Sequence, residues 1–171
     1  MKQIRILLLA LTVLAFFSSV HAQSNAPLVL VMTADGPIIP VMEDYIKRGI
    51  LTAEQRNAEA LIIELNTPGG QITTMKSIIA DIRASTVPVI VYGSPRGAWA
   101  ASAGALITMS GHASAMAPET SIGAASPVGG SGEDLGQTMK AKEMEALKAI
   151  VRTLTERRGE KATQLAESMI D

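Results

Sequence analysis

The sequence predicts an α/β fold with a mainly parallel sheet flanked by helices, and two observations support this prediction. Short runs rich in Val, Ile and Leu alternate with longer segments of helical periodicity between residues 28 and 158. Such alternation favours parallel strands joined by right-handed crossovers. The apolar residues are mostly Ala, Ile, Leu, Val and Met, and aromatic residues make up only 3% of the chain. This composition suits close packing of helices on a sheet.

Each element is predicted from its local pattern. Short runs rich in apolar residues predict strands at 28–33, 60–65, 87–92 and 113–117. Helical spacing predicts helices at 40–57, 71–84, 99–110 and 138–158, the last with a buried stripe of Leu147, Ile150, Val151 and Leu154. Gly159 is expected to end this helix, and the glycine-rich segment 126–137 is expected to be a loop.

The N-terminus has the pattern of a secretory signal peptide over residues 1–22. Lys2 and Arg5 precede an apolar run at 6–17, and Val20-His21-Ala22 matches a small-residue cleavage site. The sequence leaves open whether this segment is cleaved or retained as an anchor. Residues 23–171 then form one domain, expected on the periplasmic or extracytoplasmic face of a membrane.

Charge and cysteine content exclude some classes of function. The formal net charge is −1, with acidic and basic residues interspersed, so no basic surface for nucleic acid is predicted. The chain contains no cysteine, so its stability must come from the apolar core even in an exported setting.

Ser102 is the candidate nucleophile. It lies among small residues in the run Gly97 to Gly104, before the apolar segment Ala105-Leu106-Ile107. This arrangement suits a nucleophile at the mouth of a buried helix, because small neighbours let a substrate backbone approach closely. The alternative is a packed helix in which the Ser102 hydroxyl bonds to its own backbone.

A glycine loop, Asn66-Thr67-Pro68-Gly69-Gly70, follows the predicted strand 60–65 and precedes the next predicted helix. Its backbone N–H groups are therefore free to bind an anion at the positive end of the helix dipole. Beside Ser102, they would form an oxyanion hole. The alternative is an ordinary strand-to-helix turn in which glycine supplies unusual backbone angles.

Four segments together resemble the NfeD-type membrane-associated serine proteases, which belong to the ClpP/crotonase superfamily and are related to signal peptide peptidase A. These segments are residues 61–70, 89–92, 100–104 and 116–125. The resemblance implies a ClpP/crotonase-like fold of repeated β-β-α units over residues 23–171, with the C-terminal part of the family domain absent. It also implies a homo-oligomer that needs no metal or organic cofactor.

The resemblance further implies a Ser-Lys dyad. Ser102 would attack the substrate, Lys142 would act as general base, and the N–H groups of Gly69 or Gly70 and of Ala103 would bind the oxyanion. Lys142 lies forty positions after Ser102. Lys140 and Lys148 are competing choices, both expected to be solvated, and helical spacing directs Lys142 away from the predicted buried stripe.

Two further points concern this dyad. A lysine acts as a base only when it is neutral, so apolar surroundings must lower its pKa. These apolar surroundings are expected to come from Trp99, nearby methionines or an oligomer interface. His112, the one histidine outside the predicted signal peptide, is expected in a surface loop.

The implied function is cleavage of hydrophobic segments in membrane-associated proteins, such as a stomatin-like partner, through an acyl-enzyme. Two alternatives remain. One is an inactive binding partner of a stomatin-like membrane protein. The other is a crotonase-like acyl-CoA enzyme, for which the sequence lacks evident acid/base carboxylates and a basic CoA surface.

Overall fold

The computed structural model describes residues 26–129 and 135–171. The predicted signal peptide, and part of the predicted loop 126–137, lie outside these residues. In chain order the elements are β1 (Val29–Asp35), α1 (Pro40–Gln55), β2 (Ala60–Asn66), α2 (Ile72–Ala84), β3 (Val89–Gly93), β4 (Trp99–Ala101), α3 (Ala103–Ser110), β5 (Ala113–Met116), β6 (Ser121–Gly123), α4 (Gln137–Thr155), a 3-10 turn (Glu156–Arg158) and α5 (Glu160–Glu167).

The larger sheet has four strands in the order β1-β2-β3-β5, and every neighbouring pair is parallel. Its buried side chains share one face. Met32, Ile63 and Val91 are paired in register across three strands, and all three are buried. Val31, whose side chain points to the opposite face, is 59% exposed. The core therefore lies between one face of this sheet and the helices packed on it.

Short second strands form a separate layer next to the larger sheet. β4 and β6 pair in parallel, Thr67 forms a bridge to Ala100, and Ile38 forms a bridge to Gly70. Each long strand is thus followed by a short strand or bridge and then by a helix. This arrangement confirms the predicted α/β fold with a mainly parallel sheet and its repeated β-β-α pattern.

Four features of the secondary structure differ from the prediction. Residues 99–101 are a strand rather than the first turn of a helix, because their backbone pairs with Thr67 and β6. Strand β6 and helix α5 were not predicted, and the helix predicted at 138–158 becomes a 3-10 turn after Thr155. Gly159 ends this turn with φ +89, as expected for a glycine stop.

Candidate active site

Ser102 lies between β4 and the N-terminus of α3 with unusual backbone angles, φ +53 and ψ −119. Its N–H donates to the Gly123 carbonyl at 2.7 Å, while its hydroxyl forms no capping bond to the helix. All eight residues of α3 are buried. Strained backbone of this kind persists only where the surroundings enforce it, and it is common at active sites. The hydroxyl therefore stands at the mouth of a buried helix and does not satisfy its own backbone.

The glycine loop lies directly against this hydroxyl. A Cβ on Gly69 would lie 2.6 Å from Ser102 Cβ and 3.1 Å from Ser102 Oγ, and Gly69 has φ +107. A Cβ on Gly70 would lie 2.2 Å from the Ile38 carbonyl oxygen. Both positions therefore require glycine, because any side chain would collide with Ser102 or with the neighbouring backbone.

The structure distinguishes the N–H groups proposed as oxyanion donors. The Gly69 N–H donates to Thr67 Oγ1 at 3.1 Å, and Thr67 is buried. Across residues 26–129 and 135–171, neither the Gly70 N–H nor the Ala103 N–H has a hydrogen-bond acceptor. Ala103 is the first residue of α3, where the helix dipole favours negative charge. Gly70 and Ala103 are therefore the better candidate donors, and Gly69 shapes the loop.

Gly70, Ser102 and Ala103 line one cavity of about 600 Å³. Most of its other walls are apolar, and they come from the loops before α1 and α2, from α2 and α3, from the segment after β6 and from Leu147 of α4. The apolar lining residues are Ile39, Pro68, Ile72, Met75, Leu106, Ala125, Pro127, Val128 and Leu147. A cavity of this size and lining fits an apolar side chain with part of an extended peptide.

Lys142 does not line this cavity. Its side chain is exposed, and it borders a separate depression with Gly136, Gln137, Thr138 and Met139. Helix α4 contributes Leu147 to the cavity instead. The structure therefore brings together Ser102, Gly70 and Ala103 but not Lys142, and it agrees with the helical spacing that directs Lys142 away from the buried stripe.

The two competing lysines have different environments. Lys148 was expected to be solvated, but its side chain is only 17% exposed and its Nζ lies 2.5 Å from Asp171 Oδ1. The hydrogen bond to Asp171 raises the pKa of Lys148 above its ordinary value, the opposite of what a general base requires. The expectation of a solvated Lys148 was therefore wrong, because Asp171 of the chain's last turn reaches it. Lys140 is half-buried.

Several residues that matter to the site were missed or misjudged at the sequence level. Gly104 is required because a Cβ there would lie 2.4 Å from Thr67 Cγ2. Ser126 lines the cavity, although nothing in its local sequence marks it. Trp99 is 59% exposed, so it does not provide the apolar surround expected of it. His112 is exposed, as predicted, and its Nδ1 accepts the Val89 N–H at 3.1 Å.

In the part of the chain that the structure describes, no helix has both the length and the apolar character needed to cross a membrane.

A curated relative, membrane-bound protease PH1510 of Pyrococcus horikoshii, is 42% identical over 168 residues, which cover 97% of this chain and 37% of the relative. The chain therefore spans little more than a third of that relative's length.

Solved structures of related proteases are also similar to this chain. A serine-to-alanine mutant of the 1510-N membrane-bound stomatin-specific protease has a TM-score of 0.75 and 40% identity, covering 84% of this chain and 70% of that one. A lysine-to-alanine mutant of the same protease, in complex with a substrate peptide, has a TM-score of 0.76 and 39% identity, covering 85% and 67%. ClpP1 from Listeria monocytogenes shares the fold, with a TM-score of 0.63 and 19% identity over 80% of this chain and 78% of that chain.

The family model for the NfeD1b N-terminal domain matches residues 28–171. This range includes both sheets, the glycine loop, Ser102 and all of the cavity wall described above. The match agrees with the resemblance of the four sequence segments, and the chain belongs to the NfeD1b N-terminal domain family.

Proposed function

We propose that this domain is a serine peptidase with Ser102 as its nucleophile. The observation that carries the proposal is the Ser102 hydroxyl itself, which stands at the N-terminus of a buried helix and against Gly69. It shares a cavity with two N–H groups that have no acceptor among residues 26–129 and 135–171. A tetrahedral oxyanion formed by attack on a peptide carbonyl would accept from the N–H groups of Gly70 and Ala103. No other hydroxyl among the described residues combines these features.

The reaction proceeds in two steps through an acyl-enzyme. A base removes the Ser102 proton as Oγ attacks the carbonyl carbon, and the same group then protonates the leaving amine. Water attacks the resulting ester in the second step and restores the free hydroxyl. The chemistry requires no metal or organic cofactor.

Lys142 is our proposed base. The proposal rests on the family pattern and on the relative whose lysine-to-alanine mutant was solved with a substrate peptide. Because Lys142 is exposed and lies outside the cavity of a single chain, the dyad requires a rearrangement of the first turns of α4 or burial against a second copy. A homo-oligomer that covers this surface would supply the missing apolar surround, and mass measurement in solution at several concentrations tests it.

The proposed substrates are hydrophobic segments of membrane-associated proteins, with a stomatin-like protein as the candidate partner. The cavity supports this class, since most of the residues that line it have apolar side chains. A relative described as a stomatin-specific protease supports the same class. The signal peptide predicted at residues 1–22 favours an exported protein acting at the periplasmic or extracytoplasmic face of the membrane.

The test compares the chain with its Ser102→Ala variant on two peptides of equal length, one apolar and one polar. We expect the unsubstituted chain to cleave the apolar peptide, with products identified by mass spectrometry, and the variant to leave both intact. Equal cleavage by the two proteins would show that Ser102 is not the nucleophile.

A second candidate function is a non-catalytic domain that binds the same apolar segments. The exposed position of Lys142 favours it, because a lone serine without a base is a weak nucleophile. Binding of the apolar peptide by both proteins with no product from either, under conditions that populate the oligomer, would support this candidate over the peptidase.

A further inference from the structure

One wall of the active-site cavity is a segment with little regular structure of its own. Residues 123–129, here called the wall segment, begin at the last residue of β6, and their last five residues line the cavity. At the start of the segment, the Gly123 carbonyl accepts the Ser102 N–H. The wall segment therefore borders both the nucleophile and the space in which a substrate would lie.

The end of the described chain holds this wall segment in place. The Ala125 N–H donates to the Met169 carbonyl at 2.6 Å. Ser126 Oγ lies 2.9 Å from the Ile170 carbonyl and 3.0 Å from that of Asp171. Met169 also packs against Gly123, where a Cβ would lie 3.4 Å from Met169 Cγ. Residues 169–171 thus contact the wall segment through backbone, hydroxyl and side-chain packing.

Helix α4 in turn holds residues 167–171 in place. Lys148 pairs with Asp171 at 2.5 Å, Arg152 pairs with Glu167 at 2.5 Å, and the Ile170 side chain is fully buried. Lys148 directly follows Leu147, which lines the cavity on the side of α4. A continuous set of contacts therefore runs from α4 through residues 169–171 to the wall segment.

We infer that Ser126 and Lys148 are positioning residues, which hold the wall segment in the conformation that receives a substrate. The inference concerns the same site as the proposed function and depends on it wherever substrate is invoked. A loop with few hydrogen bonds of its own opens at low cost in free energy. When the wall segment is open, part of the free energy of substrate binding is spent on ordering it, so the substrate binds more weakly. The Ser102 hydroxyl and its donors lie on α3 and the glycine loop. Loss of the contacts made by Ser126 or Lys148 therefore acts more on KM than on kcat.

This role is distinct from that of a catalytic base, and the choice of substitution separates the two. Arginine keeps the positive charge and can pair with Asp171, but it cannot accept the Ser102 proton. Lys148→Arg should therefore retain activity if Lys148 is a positioning residue, and should be inactive if Lys148 is the base. In the same way, Ser126→Thr keeps the hydroxyl that Ser126→Ala removes.

The first experiment requires no catalysis. Amide hydrogen exchange is measured by mass spectrometry across residues 123–129 in Ser126→Ala and Lys148→Met, with Ser168→Ala and Lys161→Met as controls of the same chemistry. Among the described residues, the Ser168 hydroxyl bonds only to the Leu165 carbonyl of its own turn, and Lys161 is exposed on α5. We expect exchange to be about 3- to 10-fold faster in the first two variants, as for loss of one hydrogen bond or ion pair. Exchange that matches the controls would overturn the inference.

The second experiment measures steady-state cleavage of the apolar peptide. We expect KM to rise about 3- to 10-fold in Ser126→Ala and in Lys148→Met, with kcat changed less than about twofold. Ser126→Thr and Lys148→Arg should restore KM. A fall in kcat at constant KM, or an inactive Lys148→Arg, would contradict the positioning role. If the unsubstituted chain cleaves nothing while exchange changes as expected, the proposed peptidase fails and the positioning of the wall segment stands.

Discussion

The serine side and the lysine side of the proposed dyad are built in different ways. One cavity contains Ser102, Gly70 and Ala103. Ser102 is held by the hydrogen bond from its N–H to the Gly123 carbonyl and by close packing against Gly69. Lys142 lies on an exposed face of α4. Helix α3 is buried along its whole length, whereas α4 buries three of its residues, Leu147, Val151 and Thr155. The proposed nucleophile and its proposed donors are therefore preformed, and the proposed base is the component that must be brought to them.

This difference has a physical cause. A buried helix that begins at a strained serine cannot shift without exposing apolar surface and breaking the bonds between β4, Thr67 and β6. A surface helix can move, or be covered by a second copy, at lower cost. Substitutions on the serine side should therefore act in any assembly state, whereas those at Lys142 should matter only when the dyad is assembled.

Ser102→Ala is expected to have the largest effect. Turnover of the apolar peptide should fall by about 10³-fold or more, because no other group replaces the nucleophile. The melting temperature should change little, since the lost oxygen leaves almost no cavity. Ser121→Ala, on the exposed start of β6, is the control and should retain full activity.

Lys142→Ala should be as inactive as Ser102→Ala if Lys142 is the base, and the double variant should be no worse than either single one. Lys142→Arg should also be inactive, because guanidinium cannot accept a proton at neutral pH. The rate of the unsubstituted enzyme should rise with pH along a single limb.

Lys140→Ala is the control for Lys142 and should stay within a few-fold of the unsubstituted rate. An inactive Lys140→Ala beside an active Lys142→Ala would move the base by two positions along α4. Such a result would keep the Ser-Lys mechanism but overturn our choice of lysine.

Gly70→Val tests the donor loop. Its Cβ would lie 2.2 Å from the Ile38 carbonyl oxygen, so we expect a loss of about 1–3 kcal/mol in the free energy of unfolding. Per folded molecule, kcat should fall far more than KM rises, because the Gly70 N–H acts mainly in the transition state. Gly136→Ala, where a Cβ would meet no atom of the described residues within 4 Å, should change neither the free energy of unfolding nor kcat. An effect on KM alone would indicate a substrate-binding loop instead.

Arg158→Met tests the far end of the nucleophile helix. Arg158 Nη2 donates to the Met109 carbonyl at 3.0 Å and to the Gly111 carbonyl at 3.2 Å, at the end of α3 where the helix dipole favours positive charge. We expect the free energy of unfolding, measured with denaturant, to fall by about 1–2 kcal/mol, and KM to stay unchanged. Arg157→Met is the matched control. Equal losses of unfolding free energy in both variants would show that the bonds from Arg158 to the end of α3 do not stabilise the fold.

The smallest effect is expected at the ion pair between Arg96 and Glu119, which joins the turn before β4 to the turn after β5. The hydrogen bond to Arg96 lowers the pKa of Glu119 below its ordinary value. The pair therefore stabilises the fold above that ordinary value, and its contribution is lost as pH falls through the pKa of the folded state. Because both side chains are exposed, the effect should be slight and should weaken with salt. Melting temperatures of the chain and of Glu119→Gln, measured from about pH 6 down to about pH 3, provide the test.

Much of the site could be predicted because its signals are local. The Asn66 to Gly70 loop follows an apolar strand and precedes a helix, and Ser102 lies among small residues before an apolar run. Strand β6 was missed because three residues carry too little pattern to be recognised. Residues 99–101 were assigned to a helix because Trp-Ala-Ala has helical propensity, which pairing with Thr67 and β6 overrides.

The sequence by itself determined the order of the four longer strands and of helices α1 to α4, the glycine loop and the candidate serine, since each depends on residues adjacent in the chain. Only the tertiary structure decided which N–H groups lack an acceptor among the described residues and that Lys148 is paired with Asp171. The position of Lys142 outside the cavity was already indicated by helical spacing. The hydrogen bond from Ser126 to Ile170 spans 44 positions. No local pattern encodes such partners, because they are chosen by the packing of whole elements and not by neighbouring residues.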